Sequence, residues 1–421
     1  MKRHPVLTLQ LLVTVMLSFL LTNCDKEKTT HTNIWYTPNY KPLTEVRAEM
    51  KSSAARGFQH PGKIYILGNY IFLSETNEGI HIIDNSEPTT PKNIAFIPIP
   101  GNVDLAVKGN ALYADSYSDL VVFDISDPLA VTAKKFFNNV FPYRNYYYGY
   151  SGITRPANTD SIRVVVSWTK HESTSDYDPN QRYNGAMYAD YLATANAAQS
   201  NSTKTGTGGS MARFTLLNNY MYTVTNGDLY TFDISTPQDP HLVKETNIGN
   251  WNIETIYPLK NKLFIGSTNG MYIYDVSTPG NPVQQGQLTH VRSCDPVIAD
   301  GNTAWVTLRS GTSCGGFTNQ LDVIDVSNVT KPSLIKSYGM TNPYGLGKEG
   351  DMLFICDGIN GVKVYNAADV NNLKLIKWIS GMEAYDVIAL NSRALVVAKN
   401  GLYQYDYSKS DIRLLSKIGL E

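Results

Sequence analysis

An all-β fold, a β-propeller of seven four-stranded antiparallel blades with a long insertion after the second, is the architecture this sequence predicts. Three observations predict it. A phrase made of an apolar run, an aspartate, a small polar residue and a proline recurs along the chain. Its commonest spacing is near 40 residues, the period of one propeller blade. The composition, with 28 tyrosines and 31 glycines, suits strands and tight turns better than helices.

The phrase reads Ile82-Ile83-Asp84-Asn85-Ser86-Glu87-Pro88, then Val122-Phe123-Asp124-Ile125-Ser126-Asp127-Pro128. It returns as Thr231-Phe232-Asp233-Ile234-Ser235-Thr236-Pro237, Ile273-Tyr274-Asp275-Val276-Ser277-Thr278-Pro279 and Val323-Ile324-Asp325-Val326-Ser327. Worn copies stand at Val364-Tyr365-Asn366 and Gln404-Tyr405-Asp406. The markers at 84, 124, 233, 275, 325, 366 and 406 are separated by 40, 109, 42, 50, 41 and 40 residues. In the second copy, strands are expected over 103–107, 111–115, 120–124 and 132–137, with Lys108-Gly109-Asn110 as the first turn. The aspartate can close its turn by accepting backbone N–H groups, and the proline forbids the strand from continuing. No apolar run outside the first 23 residues reaches helical length with a 3.6 period. The gap of 109 leaves an insertion at 141–210. A degenerate eighth blade inside it is the alternative count. Its tail, 195–210, reads as a mobile loop from its Ala, Ser, Thr, Asn and Gly content.

These copies resemble the LVIVD repeat, a β-propeller family frequent in bacterial surface and secreted proteins. The resemblance runs from Lys63 to Ile418 and is closest to lipoproteins of the Bacteroidetes type. Gly79-Ile80-His81-Ile82-Ile83-Asp84, Asp295 to Arg309 and Thr341-Asn342-Pro343-Tyr344-Gly345-Leu346-Gly347 carry it. It implies the fold and says little about activity, because propellers host many unrelated functions.

The N-terminus reads as a targeting segment over 1–23, with Lys2 and Arg3 before an apolar stretch from Val6 to Leu21. Leu21-Thr22-Asn23-Cys24 resembles a bacterial lipobox, with Asn23 where a smaller residue is usual. The resemblance implies acylation of Cys24 and a stable anchor in the outer membrane. Asp25-Lys26-Glu27-Lys28 resembles the charged signal that sends such lipoproteins to the cell surface, with the periplasmic face as the other location. Residues 24–43 read as a flexible tether and 44–421 as the propeller domain.

The net charge of −1 becomes −3 once the +2 of Lys2 and Arg3 is removed. That balance excludes a basic footprint for nucleic acid. No cofactor motif and no metal-ligand spacing stand out. Gly311-Thr312-Ser313-Cys314-Gly315 matches a nucleophile elbow literally, but a strand rather than a helix is expected after it.

Three groups are candidate sites. Cys294 and Cys314 flank one predicted hairpin of the fifth blade, and an exported protein favours their pairing in a disulfide. Aligned on their first turns, the inner strands bring Lys63, Asp104, Arg213, Asp295 and Asp386 to within one residue of one level at the channel mouth, with Glu254 near it by one residue of slippage and Tyr344 beside Gly345 in the sixth blade. That ring reads either as a site for a polar ligand or as ion pairs that satisfy one another. Tyr143, Tyr146, Tyr147, Tyr148 and Tyr150 open the insertion and offer contact area for a protein or glycan partner. The expected function is a non-catalytic binding or scaffold module. The rival is a glycan- or peptide-processing enzyme using Asp104, Asp295 and Asp386.

Overall fold

The computed structural model describes residues 30–141, 144, 148–149, 156–176, 205–249, 253–290, 296–311, 316–409 and 411–420. Seven antiparallel sheets follow one another along the chain as blades, at 61–98, 105–137, 214–247, 253–289, 297–339, 346–379 and 384–419. Each has four strands in chain order from inner to outer. Consecutive inner strands touch round the ring, and the last touches the first. The seven-bladed reading of the repeats is therefore the fold, and no eighth blade stands among the described residues.

The repeated phrase explains why every blade turns alike. Asp84, Asp124, Asp233, Asp275, Asp325 and Asp406 each accept the backbone N–H two residues on, at 2.7–3.0 Å, and Asn366 does the same. In the first, second and fourth blades the serine hydroxyl adds a second bond of 2.6 Å. The proline of the phrase works between blades. Tyr113 donates to the Pro237 carbonyl, Tyr222 to that of Pro279, and Ser416 to that of Pro88. Every outer strand carries one bulge just after this turn, which increases local twist.

Apolar residues of neighbouring blades interdigitate between the sheets. Phe58, Ile64, Leu73, Ile388 and Val397 fill the seam between the last blade and the first. No strand is exchanged there. Asn85 and Gln404 instead exchange amide hydrogen bonds of 3.1 and 2.7 Å, and Phe58 bridges to Leu420.

Of the 24–43 stretch expected to be a flexible tether, the described residues from Thr30 on form regular elements. Thr30–Pro42 is a strand and Leu43–Glu49 a helix. Leu43 and Val46 of that helix are buried with Ile162 and Val164. Arg47 pairs with Asp119 at 2.9 Å. Ser53–Ala54 then adds to the outer edge of the first blade, while Lys51 bridges to Thr132 on the second. A separate compact unit pairs the 30–39 stretch with 167–176 as a two-stranded ribbon. In it Trp35 stacks on His171 at 5.3 Å, and Asn39 bonds Ser167 and Thr169.

Candidate functional site

The centre of the ring is occupied by the chain itself. Thr207–Gly208 pairs with the inner strand of the first blade, Thr207 opposite Ile66 and Gly208 opposite Tyr65. Thr205 bridges Lys108 at the far end of the second blade's inner strand, and Gly206 donates to Val107. Gly209 donates to Ile64, and Arg213 N–H reaches Asp104 Oδ2 at 2.6 Å at the near end. The segment thus runs the length of the inner strands, and 208–213 is buried throughout. The mobile loop expected up to Ser210 is corrected for 205–210. The glycines are what allow this. A Cβ on Gly206 would lie 2.4 Å from the Tyr65 ring, and one on Gly209 1.9 Å from Asp386 Oδ2.

Of the ring of charges expected at the channel mouth, Lys63, Asp104 and Asp386 lie against this segment, and Arg213 belongs to it. Lys63, Asp104, Arg213, Glu254 and Asp386 are all buried, none more than 8% exposed. Lys63 Nζ lies 3.2 Å from Asp104 Oδ2, while Asp104 Oδ1 accepts Leu105 N–H at 2.8 Å. Burial pushes the Lys63 ammonium down from its ordinary value, against the pull of Asp104. Asp386 Oδ1 accepts the N–H groups of Ser210 and Val387 at 3.1 and 2.9 Å. Burial pushes its carboxyl up to about 7, with those two bonds and Lys63 opposing. The hydroxyl of Ser210 accepts the N–H of Leu346. The cavity left between Lys63, Tyr65, Asp104, Gly209 and Asp386 has room for about one water. Lys63, Asp104, Arg213 and Asp386 are thus brought together around backbone. In the fourth blade Thr255 takes the equivalent register position, and Glu254 is the bulged residue before it.

Tyr344 packs against the core that holds Met211 and Ala212, next to Gly345, which abuts Asp386. Arg309 sits over the Tyr344 ring at 4.1 Å, and Tyr385 meets it edge-on at 5.4 Å. All three are half-buried. Beside Tyr385, the Lys399 ammonium holds Glu383 at 2.8 Å. Asp295, Cys294, Cys314, Cys24, Tyr143, Tyr146, Tyr147 and Tyr150 lie outside the described residues, as does most of the elbow-like 311–315 motif. Tyr148 is placed by its backbone, opposite Val164.

Sequence reasoning missed three buried carboxylates at the ends of second strands. Glu75 takes the N–H groups of Gln59 and His60 and pairs with His81 at 3.0 Å. Asp115 takes those of Val103 and Asp104 and pairs with Arg144 at 2.8 Å. Asp357 takes those of Thr341 and Asn342 and pairs with Lys363 at 2.6 Å. Each clamps the loop entering its own blade. The signal was present: 84 − 75, 124 − 115 and 366 − 357 all equal 9, so each carboxylate stands nine residues before its marker.

Fold and centre together define a class, the seven-bladed β-propeller whose channel is filled by its own insertion. Within that class the chain carries four LVIVD repeats, at 61–95, 101–138, 208–247 and 315–340. The fourth, sixth and seventh blades lie outside those segments yet are built the same way. No curated protein sequence matches the chain. Among solved structures, the chain is similar to the computationally designed Ika8 protein, at 11% identity over 87% of this chain and 91% of that one, with a TM-score of 0.51. It is also similar to PpgL, a periplasmic gluconolactonase of Pseudomonas aeruginosa, at 11% identity over 85% and 96% of the two chains, with a TM-score of 0.50. Identities this low establish a shared fold and nothing of activity.

Proposed function

We propose that this protein is a lipid-anchored module of the cell envelope that binds or scaffolds a partner without catalysing a reaction. The observation that carries the reading is the filled channel. An enzyme using Asp104 and Asp386 needs them open to substrate, and both are covered by 205–213 and hydrogen-bonded to backbone N–H groups. Their role in this reading is to hold the segment in place. Contact with a partner then falls to the outer surface, where the Arg309, Tyr344 and Tyr385 cluster offers a cationic and aromatic platform. Such a platform suits a protein loop or a sugar ring. The anchor at Cys24 and the outward-facing location rest on the signal motifs of the N-terminus.

The test is binding of the soluble chain, starting at residue 25, to a glycan array and to cell-envelope fractions. Two variants accompany it: Tyr344→Ala, and a chain with 177–203 replaced residue for residue by Gly and Ser, which leaves the channel segment intact. Saturable binding lost in either variant supports the module and locates its surface. Turnover of any arrayed glycan or peptide that Asp386→Asn abolishes would replace it with the enzymatic reading.

A further inference from the structure

We infer that the ribbon formed by 30–39 and 167–176 docks flat on the lipid surface into which the chain is anchored, and the inference rests on acylation of Cys24. Two-stranded ribbons are marginal on their own, and this one leaves its largest apolar side chains partly exposed. Ile34, Trp35, Tyr36 and Trp168 are 50, 47, 43 and 39% exposed. Thr32 bonding Thr174 and Trp35 stacking on His171 fix which side chains share a face. Alternation then puts Ile34, Tyr36 and Trp168 on one face and Trp35 on the other. On the first of those faces Lys170 pairs with Glu172, which leaves only Asp176 at the end of the strand.

Three features select a bilayer as the occupant. The residue types are Trp and Tyr with one Ile, the side chains that settle at the headgroup level, where an apolar ring and a polar tip are both accommodated. The tether is short: Thr30 stands six residues beyond Cys24, so even fully extended chain keeps the ribbon within about 20 Å of the acylated cysteine. At that distance the membrane is present at high effective concentration, and weak contacts suffice. Finally, 30–39 contains no Asp, Glu, Lys or Arg, and 167–176 carries one Lys against one Glu and one Asp, so the ribbon has no basic excess to seek anionic lipid and attachment should depend little on salt.

The experiment uses the mature protein purified from membranes and reconstituted into phosphatidylcholine–phosphatidylethanolamine vesicles, with or without brominated acyl chains. Tryptophan fluorescence is compared between the wild type and the Trp168→Phe variant, which removes the one tryptophan on the face of Ile34 and Tyr36 and leaves the other four. Docking predicts bromine quenching about twofold greater in the wild type than in the variant, unchanged between about 0.1 and 1 M salt. Equal quenching in the two proteins overturns the inference, provided that the intact mass shows acyl chains on Cys24. A mass showing an unacylated Cys24 removes the anchor and the docking together. An unchanged thermal midpoint in the variant shows that the blades are unaffected by the substitution.

Discussion

Asp386 is the residue whose chemistry is most altered by the fold. Its carboxyl is buried beneath Gly209 and held up to about 7. The folded protein keeps a proton that the unfolded chain releases near 3.8. Stability from this group is therefore complete below that value and is lost as pH rises through about 7. The difference between the two values bounds the loss at about 4 kcal/mol. Asp386→Asn should remove the slope, so that urea midpoints of variant and wild type diverge between pH 4 and 7. Parallel profiles would mean the carboxyl is ionised in the fold. Gly209→Ala tests the same contact sterically. A Cβ 1.9 Å from Asp386 Oδ2 cannot be accommodated without movement, and a loss of about 1–3 kcal/mol is expected in chemical denaturation.

At the scale of the element, the aspartate turns respond to pH in the opposite sense. Hydrogen bonds from the serine two residues on hold Asp124, Asp233 and Asp275 below the ordinary carboxylate range. Their contribution is present above the unfolded value and is lost as pH falls through the folded one. Asn366 closes the same turn without a charge. Asp275→Asn should accordingly fold normally at pH 7 and lose less stability than the wild type below about pH 4, as urea midpoints at the two pH values will show. The channel segment makes a second prediction. Amides of Gly206 and Gly209 bonded to Val107 and Ile64 should exchange with deuterium as slowly as the inner strands they pair with. Exchange at loop rates would sink the filled-channel reading. These two elements also mark what was legible in the chain. The turns were readable because their bonds run between residues two apart, and so were the seven blades that the turns punctuate. The channel segment was not, because its glycines are explained only by Tyr65 and Asp386, which lie 141 residues before Gly206 and 177 after Gly209. Alignment brought Lys63, Asp104, Arg213 and Asp386 to one level, yet what they hold is backbone, which leaves no composition signal.

For the whole molecule, closure is the weak point of any ring built from consecutive blades. Here no strand crosses the seam, and Gln404, 1% exposed, carries the polar contact with Asn85. Gln404→Ala removes both amide bonds to the half-buried Asn85 and should cost about 1 kcal/mol. An unchanged urea midpoint would assign closure to the apolar seam alone. The segment at 205–213 places a further demand on the order in which the molecule is made. It has chain continuing from both ends, so it cannot slide end-first into a finished ring. The blades have to gather around it while the seam is still open, and the last blade can seal only when the central strand is seated. Assembly of this propeller is thus a wrapping reaction, in which the final step waits on a short run of glycines.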